Sequence, residues 1–135
     1  MSHDCVLAIL RNENRVLLCH RHPGRAWFPN VWDFPGGHIQ EFEAPEHALA
    51  RELREELGVG IDPPDRPLDA LLECEEASTR LTVWFIDYDG AIENRAPDEH
   101  DELRWVTLEE AREMALADER YVALIEQALL NPGPG

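Results

Sequence analysis

The sequence predicts an α/β sandwich in which helices cover a central mixed β-sheet, and three observations lead to it. Short runs of β-branched and aliphatic residues alternate along the chain with stretches of helical period. The helical stretches are amphipathic, so each has one apolar face to bury against a sheet. A chain of 135 residues, 44% of them hydrophobic, is long enough for a single core, and residues 1–135 are read as one domain.

Residues 4–12 (DCVLAILRN) and 16–21 (VLLCHR) are two strands joined by a polar turn. The stretch 21–37 (RHPGRAWFPNVWDFPGG) breaks every period with three prolines and three glycines and is read as a loop with something to position. From Pro45 to Leu57 the period turns helical. Leu49, Leu53 and Leu57 recur beside Ala50, and Gly58 supplies a residue free to take positive φ at the helix end. PPDRP makes a stiff turn, after which 68–78 (LDALLECEEAS) and 80–88 (RLTVWFIDY) are strands with almost nothing between them. The polar segment 89–102 is a loop and 103–107 (LRWVT) a short strand. Thr107 with Glu110 matches an N-cap and its reciprocal Glu, opening a helix at 107–116, and a last helix spans 118–130 before NPGPG.

Twelve Lys and Arg against twenty-eight Asp and Glu leave a net charge of −16. That field repels polyanions at long range, which argues against a nucleic-acid polymer held on a basic face. An anionic substrate would need a metal ion to mediate. The N-terminal MSHDCVLAIL has neither a basic region nor an apolar run of signal-peptide length, and no stretch approaches a membrane span; no membrane partner and a cytoplasmic location are expected. Cys5, Cys19 and Cys74 lack CxxC spacing and are read as buried, reduced thiols without chemistry.

On the helix, Glu52, Glu55 and Glu56 stand at i, i+3 and i+4, so they converge on one face beside the leucine stripe, with His47 and Arg54 on the other flank. Like charges so placed destabilise an isolated helix by roughly 0.2–0.5 kcal/mol per pair. Either the face is solvated and helped by Arg51 and Arg54, or a cation offsets the repulsion. Carboxylate oxygens clustered without His or Cys are a hard ligand set that suits Mg²⁺ or Mn²⁺.

Gly37, five residues, Glu43, seven residues, Arg51-Glu52-Leu53, one residue, Glu55-Glu56, one residue, Gly58-Val59: this spacing resembles the Nudix box, GX5EX7REUXEEXGU with U aliphatic, and every fixed position is filled. WDFPGG before the box, VLLCHR upstream and ELRWVTLEEA near the C-terminus extend the likeness over most of the chain, which is identified as a member of the Nudix hydrolases. The resemblance implies the Nudix fold, an α/β/α sandwich with a central mixed sheet and a loop-helix-loop catalytic motif. It also implies metal-dependent hydrolysis of a nucleoside diphosphate linked to another moiety. Carried over residue by residue, Glu52, Glu55 and Glu56 would be metal ligands and catalytic acids, helped by a backbone carbonyl at Gly36 or Gly37, with Glu56 shared between ions. The cofactor would be Mg²⁺, with Mn²⁺ as the alternative. Small Gly36 and Gly37 would let metal or substrate phosphate approach the backbone. Glu43 and Arg51 would pair and brace the loop against the helix.

Such sites often take a further carboxylate from a distant loop as general base or ligand. Glu99 is preferred here for its place in the run E-H-x-E-L-R-W, and Glu102 is the other candidate. Arg21 and Arg25 are candidates for phosphate contacts, Arg25 being equally suited to a solvated surface. Trp27, Phe28 and Trp32 either stack a base or belong to the core, with Trp32 the choice for substrate binding. His20, His22 and His38 have no ligand spacing and are read as ordinary polar residues.

The marks of several subfamilies are missing. The proline that often distinguishes ADP-ribose enzymes is replaced by Cys74, and the tyrosine of dinucleoside polyphosphate enzymes by Glu75 and Glu76. The coenzyme A pattern is approached by LLCHR and DFPGG but fails between them, with Arg25 one position early and Asn30 where Gly is expected. The chain is most similar to the MutT-like group, which hydrolyses nucleoside triphosphates, sometimes oxidised ones such as 8-oxo-dGTP, to a monophosphate and pyrophosphate. A small nucleotide is therefore the expected partner of a monomer or homodimer, with ADP-ribose, coenzyme A or another nucleoside diphosphate derivative as the alternative substrate. The intact box acids argue against a silent nucleotide-binding module. An isomerase of the isopentenyl diphosphate type should show a catalytic Cys with His ligands, a setting Cys19 and Cys74 lack.

Overall fold

A computed structural model describes residues 4–75 and 78–130. Its elements run β1 (Cys5–Asn12), β2 (Arg15–Arg21), β3 (Trp32–Asp33), β4 (Gly36–His38), α1 (Pro45–Leu57), β5 (Ala70–Cys74), β6 (Thr79–Asp87), β7 (His100–Val106), α2 (Leu108–Arg112) and α3 (Tyr121–Leu130). All seven strands form one mixed sheet with helices on both faces, the expected α/β/α sandwich. Two sequence expectations, the end of the 68–78 strand at residues 76–77 and the stop at NPGPG, lie outside the described residues.

Strand β1 is the axis of the sheet. It runs parallel to β6 from Cys5↔Leu81 to Arg11↔Asp87, and β5 closes the far edge antiparallel to β6. On its other side the β1–β2 hairpin pairs only at Arg11↔Val16 and Asn12↔Arg15, after which the two strands splay apart. The segment WDFPGGH fills the opening: Trp32 and Asp33 pair with His20 and Cys19 of β2, and Gly36, Gly37 and His38 pair with Leu7, Val6 and Cys5 of β1. The stretch expected to be a loop therefore contains two short strands, β3 and β4. Strands of two and three residues built on Gly36 and Gly37 show no period, and the open edges of β1 and β2 impose the pairing instead. Gly36 sits at φ +150°, and a Cβ there would lie 2.0 Å from the Val6 carbonyl oxygen, so the close approach of β4 requires glycine.

Alternation along β1 sorts the core into two layers. Val6, Ala8 and Leu10 pack with Ala48, Leu49, Leu53 and Leu57 of α1. Leu7 and Ile9 face the opposite way, onto Phe34 and the Tyr121, Leu124, Ile125 and Ala128 side of α3. Full burial of each such leucine contributes about 2 kcal/mol, which is why the stripe read from the sequence fixes α1 on the sheet.

Helix α1 spans the expected residues. Pro45 opens it, and Gly58 ends it at φ 68°, with Gly58 N–H donating to Arg54 O and Val59 N–H to Leu53 O. Thr107 and Glu110 form the expected capping box, yet α2 stops at Arg112 rather than continuing to 116. Residues 115–117 turn away to pair with the main chain of Trp32, at 2.8 Å on both sides, and tertiary pairing overrides helix propensity there. α3 starts at Tyr121, after Asp118 accepts from the Arg120 N–H. β7 starts at His100, three residues before the predicted strand, because its pairing with β2 extends to Arg21. None of the three cysteines forms a disulfide among the described residues; Cys19 is buried as expected, whereas Cys5 and Cys74 are half-buried, contrary to the expectation that all three are buried. Among the described residues, no helix is long and apolar enough to cross a membrane.

Candidate active site

Helical phase places Glu52 and Glu56 one residue out of step with Leu53 and Leu57, so they flank the buried stripe where α1 crosses β4. The three helix glutamates are not equivalent. Side-chain exposure is 7% for Glu56, 15% for Glu52 and 56% for Glu55. Gly37 lies directly beneath Glu52: a Cβ on it would fall 2.6 Å from the carboxylate carbon.

Arg51 ties the glycine-flanked loop to the helix. Its Nε and Nη2 donate to the two oxygens of Glu43 at 2.7 and 2.9 Å, a bidentate pair, and Nη2 also donates to the His38 carbonyl at 3.0 Å. Its Nη1 donates to Glu52 at 3.0 Å and to Glu55 at 3.2 Å. Hydrogen bonding from Arg51 holds the Glu43 carboxyl below its ordinary value, and Glu43 in turn accepts from the Gln40 N–H.

Among the described residues, Oε1 of Glu56 is buried without a hydrogen-bond partner, and its Oε2 stands 3.7 Å from His100 Nδ1, beyond hydrogen-bonding distance. Burial first, then the adjacent Glu52 and the charge of Glu99, push the Glu56 carboxyl up to about 10. Burial lowers His100, which favours its neutral form. Donor atoms of Glu56, Glu99 and His100 lie within 4.8 Å of one another. An orphaned carboxylate oxygen, further oxygen donors and a glycine that leaves room beneath Glu52 fit a hard divalent cation.

The remaining candidates fall around this cluster. A turn in which both Glu99 and His100 N–H groups donate to Ala96 O sets Glu99 at the exposed mouth and His100 inside. Glu102 points elsewhere, paired with Arg104 at 2.6 Å. The Arg21 guanidinium donates to the carbonyls of Trp27 and Phe28 and lies 3.8 Å from Asp33, so it grips the loop ahead of the box. Arg25 reaches the Glu99 carbonyl at 3.5 Å, and His22 N–H donates to the same oxygen, which puts that loop beside the acidic cluster. Trp32 is half-buried, its ring 5.0 Å from the His20 ring and 5.0 Å from the Arg104 guanidinium carbon. Trp27 and Phe28 are exposed, at 76% and 62%.

Two groups escape sequence reasoning. His100 sits inside the E-H-x-E-L-R-W run, but a search for paired histidine spacing passes over a lone one. Asp33 in β3 is half-buried, with Oδ1 accepting from Tyr121 O–H at 2.8 Å and Phe34 N–H at 2.7 Å; desolvation raises its carboxyl above its ordinary value. The Tyr121 contact spans 88 positions and leaves no local signal.

The family model described as NUDIX domain matches residues 1–126. The chain is 42% identical over 79 residues to the 8-oxo-dGTP diphosphatase of Escherichia coli K12, a match covering 58% of this chain and 60% of that protein. It is 31% identical to the CTP pyrophosphohydrolase of E. coli K12, over 84% of this chain and 82% of the relative. It is 30% identical to the nucleoside triphosphatase NudI of Klebsiella pneumoniae, over 93% and 96%. Among solved structures, the MutT protein from Methanosarcina mazei superposes with a TM-score of 0.77 at 26% identity, over 94% of this chain and 92% of the other.

Proposed function

The chain belongs to the Nudix hydrolases, in their MutT-like group, and from that premise we propose that it hydrolyses a nucleoside triphosphate to the monophosphate and pyrophosphate. The observation that carries the chemistry is Glu56, a buried carboxylate with an unpartnered oxygen at the centre of an acidic cluster. The substrate class is supported by relatives named for 8-oxo-dGTP, for CTP and for nucleoside triphosphates.

Glu52, Glu55 and Glu56, with a backbone carbonyl at Gly36 or Gly37, would hold Mg²⁺ or Mn²⁺, which when bound neutralises a pyrophosphate and lowers the pKa of coordinated water. Glu99, exposed at the mouth, accepts the proton of the attacking water as general base. Water adds to phosphorus, the phosphoanhydride bond breaks, and pyrophosphate departs from the monophosphate. Arg25 supplies a cation for the phosphates, and Gly36 lets them approach the main chain. Arg21 holds the 27–28 segment in place while Trp32 walls the base side. Glu43 and Arg51 keep the helix and its loop in register.

Chromatographic product identification tests this reading. The protein and its Glu56→Gln variant are incubated with Mg²⁺ and a panel of nucleoside triphosphates, 8-oxo-dGTP, ADP-ribose and coenzyme A. Monophosphate and pyrophosphate from triphosphates, with most of the rate lost in the variant, is the expected result. Cleavage of ADP-ribose or coenzyme A alone would overturn the substrate class, and an unimpaired variant would overturn the role of Glu56.

A further inference from the structure

We propose that His100 is a positioning residue for Glu56: its Nδ1–H holds Oε2 of the carboxylate and thereby aims Oε1 at the metal position. The inference rests on the assignment of Glu56 to the metal and adds a residue that the acidic motif does not contain.

The two side chains face each other inside the protein, 4% and 7% exposed, with Nδ1 3.7 Å from Oε2. Two atoms of the pair, Glu56 Oε1 and His100 Nε2, are buried without a partner among the described residues. The imidazole is not free to leave. His100 N–H donates to Ala96 O at 3.0 Å, its carbonyl accepts from Asn94 Nδ2 at 2.9 Å, and the residue pairs with Arg21 at the start of β7.

Chemistry selects the tautomer. Once a cation keeps Glu56 ionised, a proton on Nδ1 sets an N–H against the carboxylate oxygen and leaves over only the Nε2 lone pair. With the proton on Nε2, a buried N–H is orphaned and two lone pairs confront each other across 3.7 Å. Orphaned buried N–H groups are the rarer and costlier defect. Bringing Nδ1 and Oε2 to a hydrogen bond takes a movement of about 0.8 Å, within the range by which active-site hydrogen bonds tighten when a complex forms. A neutral imidazole donating to a liganding carboxylate fixes which oxygen remains for the cation, and loss of such a partner costs about ten- to a hundredfold in metal affinity.

Substitution separates the two ring nitrogens. An asparagine amide nitrogen takes the place of Nδ1, a glutamine amide nitrogen takes that of Nε2, and phenylalanine keeps the ring without either. Mn²⁺ binding to nucleotide-free protein is titrated by electron paramagnetic resonance, with metal-free melting curves showing which variants are folded. The expected result is weakening by about ten- to a hundredfold in His100→Phe and His100→Gln, with His100→Asn close to the parent protein. Unchanged Mn²⁺ affinity in His100→Phe would reduce the residue to filling space and overturn the proposal. Rescue by Gln and not by Asn would overturn it in favour of an Nε2 contact. Should His100→Phe not fold, the comparison of Asn with Gln decides alone. If the parent protein binds no Mn²⁺, the metal assignment of Glu56 falls and takes this inference with it; if it binds and the Phe variant binds equally, only this inference falls.

Discussion

Replacing Gly37 with alanine should remove activity and leave the fold, although the residue lies in a β-strand at the centre of the molecule. The new Cβ would stand 2.6 Å from the Glu52 carboxylate carbon and 2.7 Å from both its oxygens, whereas ordinary contact begins at 3.4 Å. Backbone strain is not the issue, since Gly37 is not among the residues with positive φ. The obstacle is a side-chain terminus, so the carboxylate retreats, by about 0.8 Å, and its 3.0 Å bond from Arg51 stretches or breaks. A displacement near 1 Å of a group that positions substrate costs on the order of 10²-fold in rate. The partly exposed Arg51–Glu52 pair contributes at most about 1 kcal/mol to stability, so the melting temperature should move by only a few degrees. Gly36→Ala is the control one residue away. Its Cβ would meet the Val6 carbonyl at 2.0 Å from φ +150°, and backbone cannot retreat, so a stability loss of at least about 3 kcal/mol is expected. The assay is kcat/KM on a nucleoside triphosphate alongside thermal melting of both variants. A Gly37→Ala protein with full kcat/KM, or one as unstable as Gly36→Ala, would refute the argument.

Glu99→Gln should lower kcat by about 10²-fold or more, whereas Glu102→Gln, whose carboxylate is already taken by Arg104, should stay near the parent rate; steady-state kinetics on both checks the assignment. Leu53→Ala, at a fully buried position of the stripe that seats α1, should cost about 3 kcal/mol and lower the melting temperature by roughly 10 °C. Glu56→Gln should raise the metal-free melting temperature, because it removes a buried acid crowded by Glu52 and Glu99, and should show none of the upward shift expected of the parent on adding Mg²⁺. Arg120, 2.7 Å from Asp118, holds that carboxyl below its ordinary value of 3.8. A depressed folded value means the pair stabilises fully above that ordinary value and loses its contribution as pH falls below it. The melting difference between parent and Asp118→Asn should accordingly be constant near neutrality and shrink progressively as the pH falls below 3.8.

What could be read in the sequence was whatever one helix or one strand states by itself. The leucine stripe, Gly58 and the glutamates at i, i+3 and i+4 all lie within thirteen consecutive residues plus the cap, so helical phase alone gave α1 and its acidic flank. β3 and β4 were invisible for the opposite reason: they exist because β1 and β2 separate after two residue pairs and leave edges to fill. The early end of α2 has the same origin, since Trp32, more than eighty positions upstream, captures residues 115–117. Within the site, the motif indicated which acids gather but not how unequal they are. Glu55 faces solvent and Arg51, while Glu56 is enclosed by β7, and only the tertiary fold assigns those environments.

One residue of helical offset separates stability from chemistry in α1. Leu49, Leu53 and Leu57 repeat every fourth position and are fully buried; Glu52 and Glu56 repeat at the same interval, about 100° around the axis. The leucines supply the burial energy that holds the helix against β1, and that docking forces the neighbouring row into the narrow space over β4 whether or not its charges are content there. Arg51, a further step around, neutralises what it can reach, namely Glu43, Glu52 and Glu55. Glu56 lies on the far side of the row, out of that reach, facing β7. Its burial is thus a consequence of the same contact that makes the helix stable, and relieving it from within would require rotating the leucines into water. A divalent cation bound there, as proposed above, would relieve it without disturbing the core. The fold can therefore tolerate a destabilised carboxylate in a chain of net charge −16 because the stripe beside it is large enough to bear the cost.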